Sequence, residues 1–397
     1  MCIAFFRQLI ILGTLSCFLG SPLLAQDPIF NQYYHYKLYL NPAFTGFDPG
    51  INLHTGLRSQ WHKVADNNGQ FLSKYMGLSA ELPKLRVGIG FYYLDNLEGE
   101  GGVNWPAITP APGGGLLRLR RYAFSFAWHN WPCRMDKRFN FALGMSGGFN
   151  RYTQDWAGLV FSDQLDAIRG KVRDTKLDLP SNLQQSNFFY HLSAGGLMQW
   201  QTRHRLLRTG LAVHNITPQN SSILGGNAPL PLRFTFHSTA ILDDVFGSTR
   251  RGLMQLIPLV KVDIQRAARA QNAFSHQSVQ IGSVIKAGTE NRFHTGLFIH
   301  TNRLLSTDFD PFQVVNQTNR NIQSLVISFG YDHVAGGGGG NNVPSVWGFT
   351  ASWSHDFLGA TGLGDIFEFG LQFGLPPVSL LGQGCGSCPA NKLDRRF

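Results

Sequence analysis

The chain reads as an all-β protein: a transmembrane antiparallel up-and-down β-barrel of about fourteen strands, with its N-terminal segment packed in or under the barrel. Three observations lead there. In Arg120–Asn150, Tyr122, Phe124, Phe126 and Trp128 alternate with Ala123, Ser125, Ala127 and His129. After Trp131-Pro132, Phe139, Phe141, Leu143 and Met145 alternate with Asn140, Ala142, Gly144 and Ser146. A soluble sandwich would bury the aromatic side of such a hairpin, whereas a membrane barrel turns it toward lipid and keeps the small, polar side for the lumen. Second, charged residues make up only 15% of the chain, against roughly 25% in soluble domains, and no run beyond the first two dozen residues is apolar and long enough for a spanning helix. Third, the connections between the alternating segments sort into short and long by parity, which a barrel with periplasmic turns and external loops requires and a sandwich does not.

Taken in order, residues 1–25 have the form of a secretory signal: Arg7, the apolar run Leu9–Leu19, and small residues ending at Ala25, where cleavage is expected. Of the five cysteines, cleavage would leave Cys133, Cys385 and Cys388, too few for a disulfide scaffold in an exported chain. Cys385 and Cys388 lack a second CxxC or a nearby His, so a tail disulfide or idle thiols is a better reading than a metal or redox site. Residues 26–50 precede the first strand and carry Tyr33, Tyr34, Tyr36, Tyr39 and Phe44. At roughly 25 cal/mol per Å² of apolar surface, so aromatic a segment is expected to pack inside the barrel or against its periplasmic rim.

The barrel itself is expected over 51–375. Strands are read at 51–63, 71–82, 85–96, 119–130, 138–150, 187–200, 204–216, 231–243, 252–264, 276–288, 291–303, 321–333, 345–357 and 364–375. Long connections fall at 64–70, 97–118, 151–186, 217–230, 265–275 and 304–320; short ones fall at 83–84, 131–137, 201–203, 244–251 and 289–290. The Gly-rich turn 334–344 and the short loop 358–363 break the alternation. Within 151–186, Asp163–Leu179 is mildly amphipathic and reads either as a short helix over the barrel mouth or as a plain surface loop. The tail 376–397, ending in Lys392, Arg395 and Arg396, is expected in the periplasm.

The motifs also follow a known order. Gln26-Asp27-Pro28, Gln32-Tyr33-Tyr34, Leu40-Asn41-Pro42-Ala43 and Gly46 open the mature chain, followed by Arg58-Ser59-Gln60-Trp61 and by Val87-Gly88-Ile89-Gly90 with Asp95. Near the end stand Phe329-Gly330-Tyr331-Asp332 and Ser354-His355-Asp356. This series resembles the PorP/SprF proteins of the type IX secretion system of Bacteroidetes, with Asp356 where the family's strand carries Glu. The resemblance spans nearly the whole mature chain. It departs after Trp61, where HKVADNNGQF replaces a Pro- and Thr-containing turn, and in the Gly336–Gly340 insert.

The resemblance implies an outer-membrane component of type IX secretion and, in some bacteria, of gliding motility. Its implied partners are other type IX secretion components, outer-membrane lipid, and exported adhesins or cargo bearing a type IX C-terminal domain. It offers Tyr33, Tyr34, Asn41, Pro42, Gln60, Trp61, Asp95, Tyr331, Asp332, His355 and Asp356 as partner-binding or motif residues, with inward packing and inter-strand bonding as the plainer reading of each.

No cofactor, metal or catalytic constellation stands out. Gly144-Met145-Ser146-Gly147-Gly148 fits G-x-S-x-G, but that motif works only as a strained strand-to-helix turn, and here it continues an alternating strand. The 13 histidines are scattered; His54, His129, His237, His294 and His300 sit within strands without shared ligand spacing, as lumen or interface residues would. The formal charge of +10 includes the basic stretch Arg203–Arg208, which lies at a turn beside strands and fits a loop facing anionic lipid better than a nucleic-acid surface. Two alternatives to the secretion component remain: an outer-membrane pore or hydrophobic-compound transporter, and an outer-membrane hydrolase using Ser146.

Overall fold

A computed structural model describes residues 29–60, 70–82, 85–100, 115–130, 139–154, 165–166, 170–171, 186–202, 205–217, 219–220, 230–243, 245, 254–266, 275–301, 324–335, 345–356 and 365–375. The strands are β1 (Ile51–Gln60), β2 (Gln70–Leu82), β3 (Val87–Glu100), β4 (Gly115–His129), β5 (Phe139–Gln154), β6 (Leu165–Asp166), β7 (Gly170–Lys171) and β8 (Ser186–Gln201). They continue as β9 (Arg205–His214), β10 (Leu232–Asp243), β11 (Met254–Arg266), β12 (Ser275–Ala287), β13 (Asn291–Thr301), β14 (Ser324–Ala335), β15 (Ser345–Asp356) and β16 (Ile366–Leu375). All except β6 and β7 form one closed antiparallel barrel in sequence order, sealed where β1 pairs with β16 from Ile51↔Leu375 to Gln60↔Ile366. No strand is left at a sheet edge in that ring: every barrel strand is paired with a neighbour on both sides.

Closure decides which way the side chains face. On β4, Ala123, Ser125, Ala127 and His129 are buried toward the lumen, while Phe124 (64% exposed), Phe126 and Trp128 face outward. The same alternation governs β13, where Phe293, Leu297 and Ile299 are exposed and Arg292, His294, Phe298 and His300 are buried. The apolar sides point away from the core, the inversion expected of strands solvated by hydrocarbon. No helix is long and apolar enough to cross a membrane among the described residues.

All fourteen expected barrel strands are present, and the two departures have physical reasons. The ladders of β3, β4 and β5 run further than read, through Glu100, from Gly115 and through Gln154. Polar outward residues such as Asp95, Arg118 and Arg151 mark the end of the apolar belt, but antiparallel pairing continues beyond lipid because nothing in the ladder depends on side-chain polarity. In the Asp163–Leu179 stretch, Leu165–Asp166 pairs with Gly170–Lys171 as a small ladder, so the helical alternative fails at those residues. Gly170 costs a helix about 1 kcal/mol relative to Ala, whereas it suits a tight return of the chain.

The rim holding both Ile51 and Leu375 carries the tight β2–β3, β8–β9 and β12–β13 connections; the opposite rim carries the long ones. Replacing lipid-facing Phe124 by Arg, midway along β4, is expected to lower unfolding stability by about 2–4 kcal/mol. Chemical denaturation in phospholipid vesicles measures this directly.

Candidate functional site: the plugged lumen

Residues 29–50 fill the lumen. They are short of regular structure: a helical turn, Lys37–Leu40, then a 3-10 turn, Pro42–Phe44. Asn41 between them is extended and caps the second turn by accepting from Ala43 N through Oδ1 at 2.9 Å, with Pro42 set at the first position. A fixed proline φ and a missing N–H suit that place. Phe30, Tyr33, Tyr36, Leu38, Tyr39, Leu40, Phe44 and Phe47 are all buried.

Polar contacts tie this plug to β1, β4, β8, β9, β10, β12, β15 and β16. The Glu368 carboxylate of β16, fully buried, accepts from two successive backbone amides, Asn31 N at 2.6 Å and Gln32 N at 2.9 Å. Arg58, its cross-strand partner, stands 3.3 Å away as the counter-charge. Such a carboxylate would be costly in a lumen without these donors. Asn31 also donates to Ser354 Oγ at 3.0 Å, and Gln280 donates to Phe30 O at 3.2 Å.

Asn41 is the second anchor. Its Nδ2 lies 3.1 Å from Gly196 O, 3.2 Å from Leu211 O and 3.1 Å from His237 Nε2. The wall beneath is made of glycines because there is no room for anything else. A Cβ on Gly195 would fall 2.1 Å from Asn41 Oδ1, and one on Gly144 would fall 2.4 Å from Ala43 N. At the near rim, His129 Nε2 donates to Thr45 O at 2.9 Å, and Gly46 (φ +63°) passes so close to Gly88 that a Cβ on Gly46 would meet the Gly88 Cα at 2.5 Å. The plug therefore runs lengthwise, from Glu368 in the far half of the lumen to Gly88 at the near rim.

Aromatic packing completes the seal. Phe30 stacks on Tyr36 at 3.9 Å, Tyr36 meets Tyr75 edge-on at 5.0 Å, Tyr34 stacks on Phe298 at 5.9 Å, and Phe44 stacks on His237 at 5.2 Å. Cations from the wall sit over plug rings: Arg208 over Phe47 at 4.2 Å, Arg233 over Tyr39 at 4.7 Å and Lys261 over Tyr33 at 5.5 Å. Arg233 Nη1 also donates to the Tyr39 hydroxyl at 2.7 Å. A cavity of about 20 Å³ remains beside Tyr33, Lys261 and Asp263, room for one water on a polar lining. His35 donates to Thr55 O at 3.0 Å, and burial pushes its imidazole down from 6.5 to about 4.

The motif residues separate into two sets. Tyr33, Tyr34, Asn41 and Pro42 belong to the plug, and Asp332 lies in the lumen, bonded to Lys286 and accepting from Gln372 at 2.6 Å. Asp95, Tyr331 and His355 point to the outer face instead: Asp95 pairs with Arg118, Tyr331 donates to Asn291 Oδ1 at 2.7 Å, and His355 meets Asp365 at 2.8 Å. Gln60 ends β1 and Asp356 ends β15. Trp61, Cys385 and Cys388 lie outside the described residues. Ser146 sits mid-strand, buried toward the lumen, with no turn into a helix. The anchors Glu368, His237 and Gly195 are not among the motif residues. Their signal was an acid, a histidine or a glycine on the inward side of an alternating strand.

Residues 23–103, the plug and the first three strands, match the family model of the type IX secretion system membrane protein PorP/SprF. The model that matches these residues is that of the family the motifs resemble. No curated protein matches the chain. Among solved structures it is similar to the Ralstonia pickettii toluene transporter TbuX, at 12% identity over 85% of this chain and 91% of that one, with a TM-score of 0.44. It is also similar to the Pseudomonas putida toluene transporter TodX, at 10% identity over 87% and 93%, with a TM-score of 0.42. These are likenesses of fold among outer-membrane barrels.

Two outcomes follow for the plug. Gly144→Val should prevent the Asn41-Pro42 turn from seating, making residues 29–50 cleavable in limited proteolysis while the barrel persists. Because the docked His35 titrates near 4 and a free one near 6.5, docking is at full strength above pH 6.5 and weakens as the pH falls toward 4, by up to about 3 kcal/mol. Proteolysis across that window should accelerate for the native protein and less so for His35→Gln.

Proposed function

We propose that this chain is a non-enzymatic outer-membrane component of the type IX secretion system, exported by its N-terminal signal, that binds large secreted proteins or adhesins and supports their export or surface anchoring. The observation that carries the reading is the plug: residues 29–50, the first part of the PorP/SprF-matched stretch, are spent on filling the lumen, bonded to strands on every side. A barrel so filled is suited to hold partners with its rims and loops rather than to conduct solutes. Cargo with a type IX C-terminal domain would dock at the long loops, and other secretion components would meet the rim with the short turns, by edge or loop contacts of the usual peptide-recognition kind.

The test is crosslinking in native membranes followed by mass spectrometry of the chains that co-purify. Recovery of a secreted protein carrying a type IX C-terminal domain is the expected result; recovery of no secretion component would count against the reading. The pore alternative is separated by planar-bilayer recording. The purified protein should give no steady conductance, and large, stable single-channel steps would favour the pore.

A further inference from the structure

The outer face carries a charged row that neither the plug nor the secretion reading uses. Lys74, Asp95, Arg120, Arg151 and Phe188 are direct cross-strand neighbours in one line across β2, β3, β4, β5 and β8. All sit on the lipid-facing side, with Arg118 two residues further along β4. Immediately below runs an aromatic row, Tyr93, Tyr122, Phe149 and Tyr190, with Tyr93–Tyr122 centroids at 4.9 Å and Tyr122–Phe149 at 5.0 Å. From Arg120 down to Trp128, near the opposite rim, is about 27 Å of strand, roughly 20 Å along the membrane normal at the usual tilt. The charged row therefore sits where the hydrocarbon ends, above an interfacial aromatic girdle. It lies toward the rim with the long loops, the external one in barrels of this kind.

The charges do not balance within the row. Asp95 is committed to Arg118, which donates to it twice, at 2.8 Å from Nε and 2.6 Å from Nη2, and Arg120 approaches the same carboxylate only to 3.9 Å. Arg120 and Arg151 stand directly opposite each other, an arrangement of like charges that destabilises a sheet unless something anionic lies between them. Arg151 lies over the Phe188 ring at 5.0 Å, and its Nε has no hydrogen-bond partner among the described residues. Lys74 is exposed on the other flank of Asp95. Arginine forks of this spacing are suited to phosphate oxygens, and the apolar rows below are suited to acyl chains.

We infer that the outer face of β2–β5 is a binding site for the anionic phosphate headgroup of an outer-leaflet lipid, with Arg120, Arg151 and Lys74 as headgroup ligands and the Tyr122–Phe149 row against its chains. Removing one interfacial cation should weaken retention roughly fivefold, and removing two about thirtyfold.

The full chain, reconstituted in phosphatidylcholine vesicles doped with phosphatidylglycerol or with lipid A, is to be extracted gently and weighed by native mass spectrometry. The wild type should retain the anionic lipids over phosphatidylcholine. The Arg120→Gln/Arg151→Gln variant should lose that preference, whereas Arg205→Gln, outward at the opposite rim, should keep it. Should the double variant fail to fold, Lys74→Gln, at an exposed position that makes no ion pair with Asp95, still tests the site by its roughly fivefold effect. Unchanged retention in these variants would overturn the inference. So would complete displacement of the lipid by millimolar inorganic phosphate, which would mark a free-anion site.

Discussion

Everything in this protein depends on the closure of β1 onto β16. A strand in hydrocarbon cannot leave backbone groups unpaired, so the sheet must return on itself, and once it does the solvent and the core exchange places. The outside of the ring is the apolar side, and the inside inherits what an ordinary protein keeps at its surface: Arg58, Glu368, His237, Lys286 and Asp332 all face the lumen. That interior cannot be closed by collapsing its own side chains together, because most of them are polar and the ring is too wide for the walls to meet. It must hold either water or a segment able to satisfy polar walls.

Residues 29–50 meet that requirement because they are an unusual mixture. The segment is aromatic enough to exclude water, yet its backbone is irregular enough to present amides, carbonyls and an asparagine side chain in many directions. A regular helix would have consumed those groups internally. Here Asn31 and Gln32 can turn two amides onto one carboxylate, and Asn41 can set its amide nitrogen among two strand carbonyls and a histidine. The wall is shaped to match: Gly144, Gly195 and Gly370 remove side chains where the plug comes nearest, while Arg208 and Arg233 lean over the rings where it stands away.

Much of this was legible without coordinates because the alternation in membrane strands is strict. Phe124–Trp128 and Phe293–Ile299 could be assigned to the lipid face from their period alone, and strand number and pairing order follow from neighbour-to-neighbour connectivity. The aromatic N-terminal stretch could be placed in or under the barrel by its cost in water. Its detailed seat could not. That Asn41 would meet Leu211 and Glu368 would meet Asn31 depends on contacts between residues hundreds of positions apart, set by where an irregular coil happens to turn. Strand ends escape the sequence for a related reason: side-chain polarity marks the edge of the lipid, whereas the ladder stops only when its backbone partners do.

The polar walls also decide how firmly the plug is held. Withdrawing residues 29–50 would expose a mixed hollow: water could enter the lumen and solvate Glu368, His237 and Arg233, but it would also wet Ile241, Leu259 and Phe298. The net gain from each bond is therefore modest, and what holds the segment is the number of its anchors together with burial of its rings. Anchors on eight strands make release all-or-none: freeing the Asn41 turn leaves Glu368 still gripping Asn31 in the far half, and His129 still gripping Thr45 near the opposite rim. A local push at either rim would strain one anchor against the others before the lumen could open. The segment is thus a part of the barrel's core, contributed by the chain before the barrel begins.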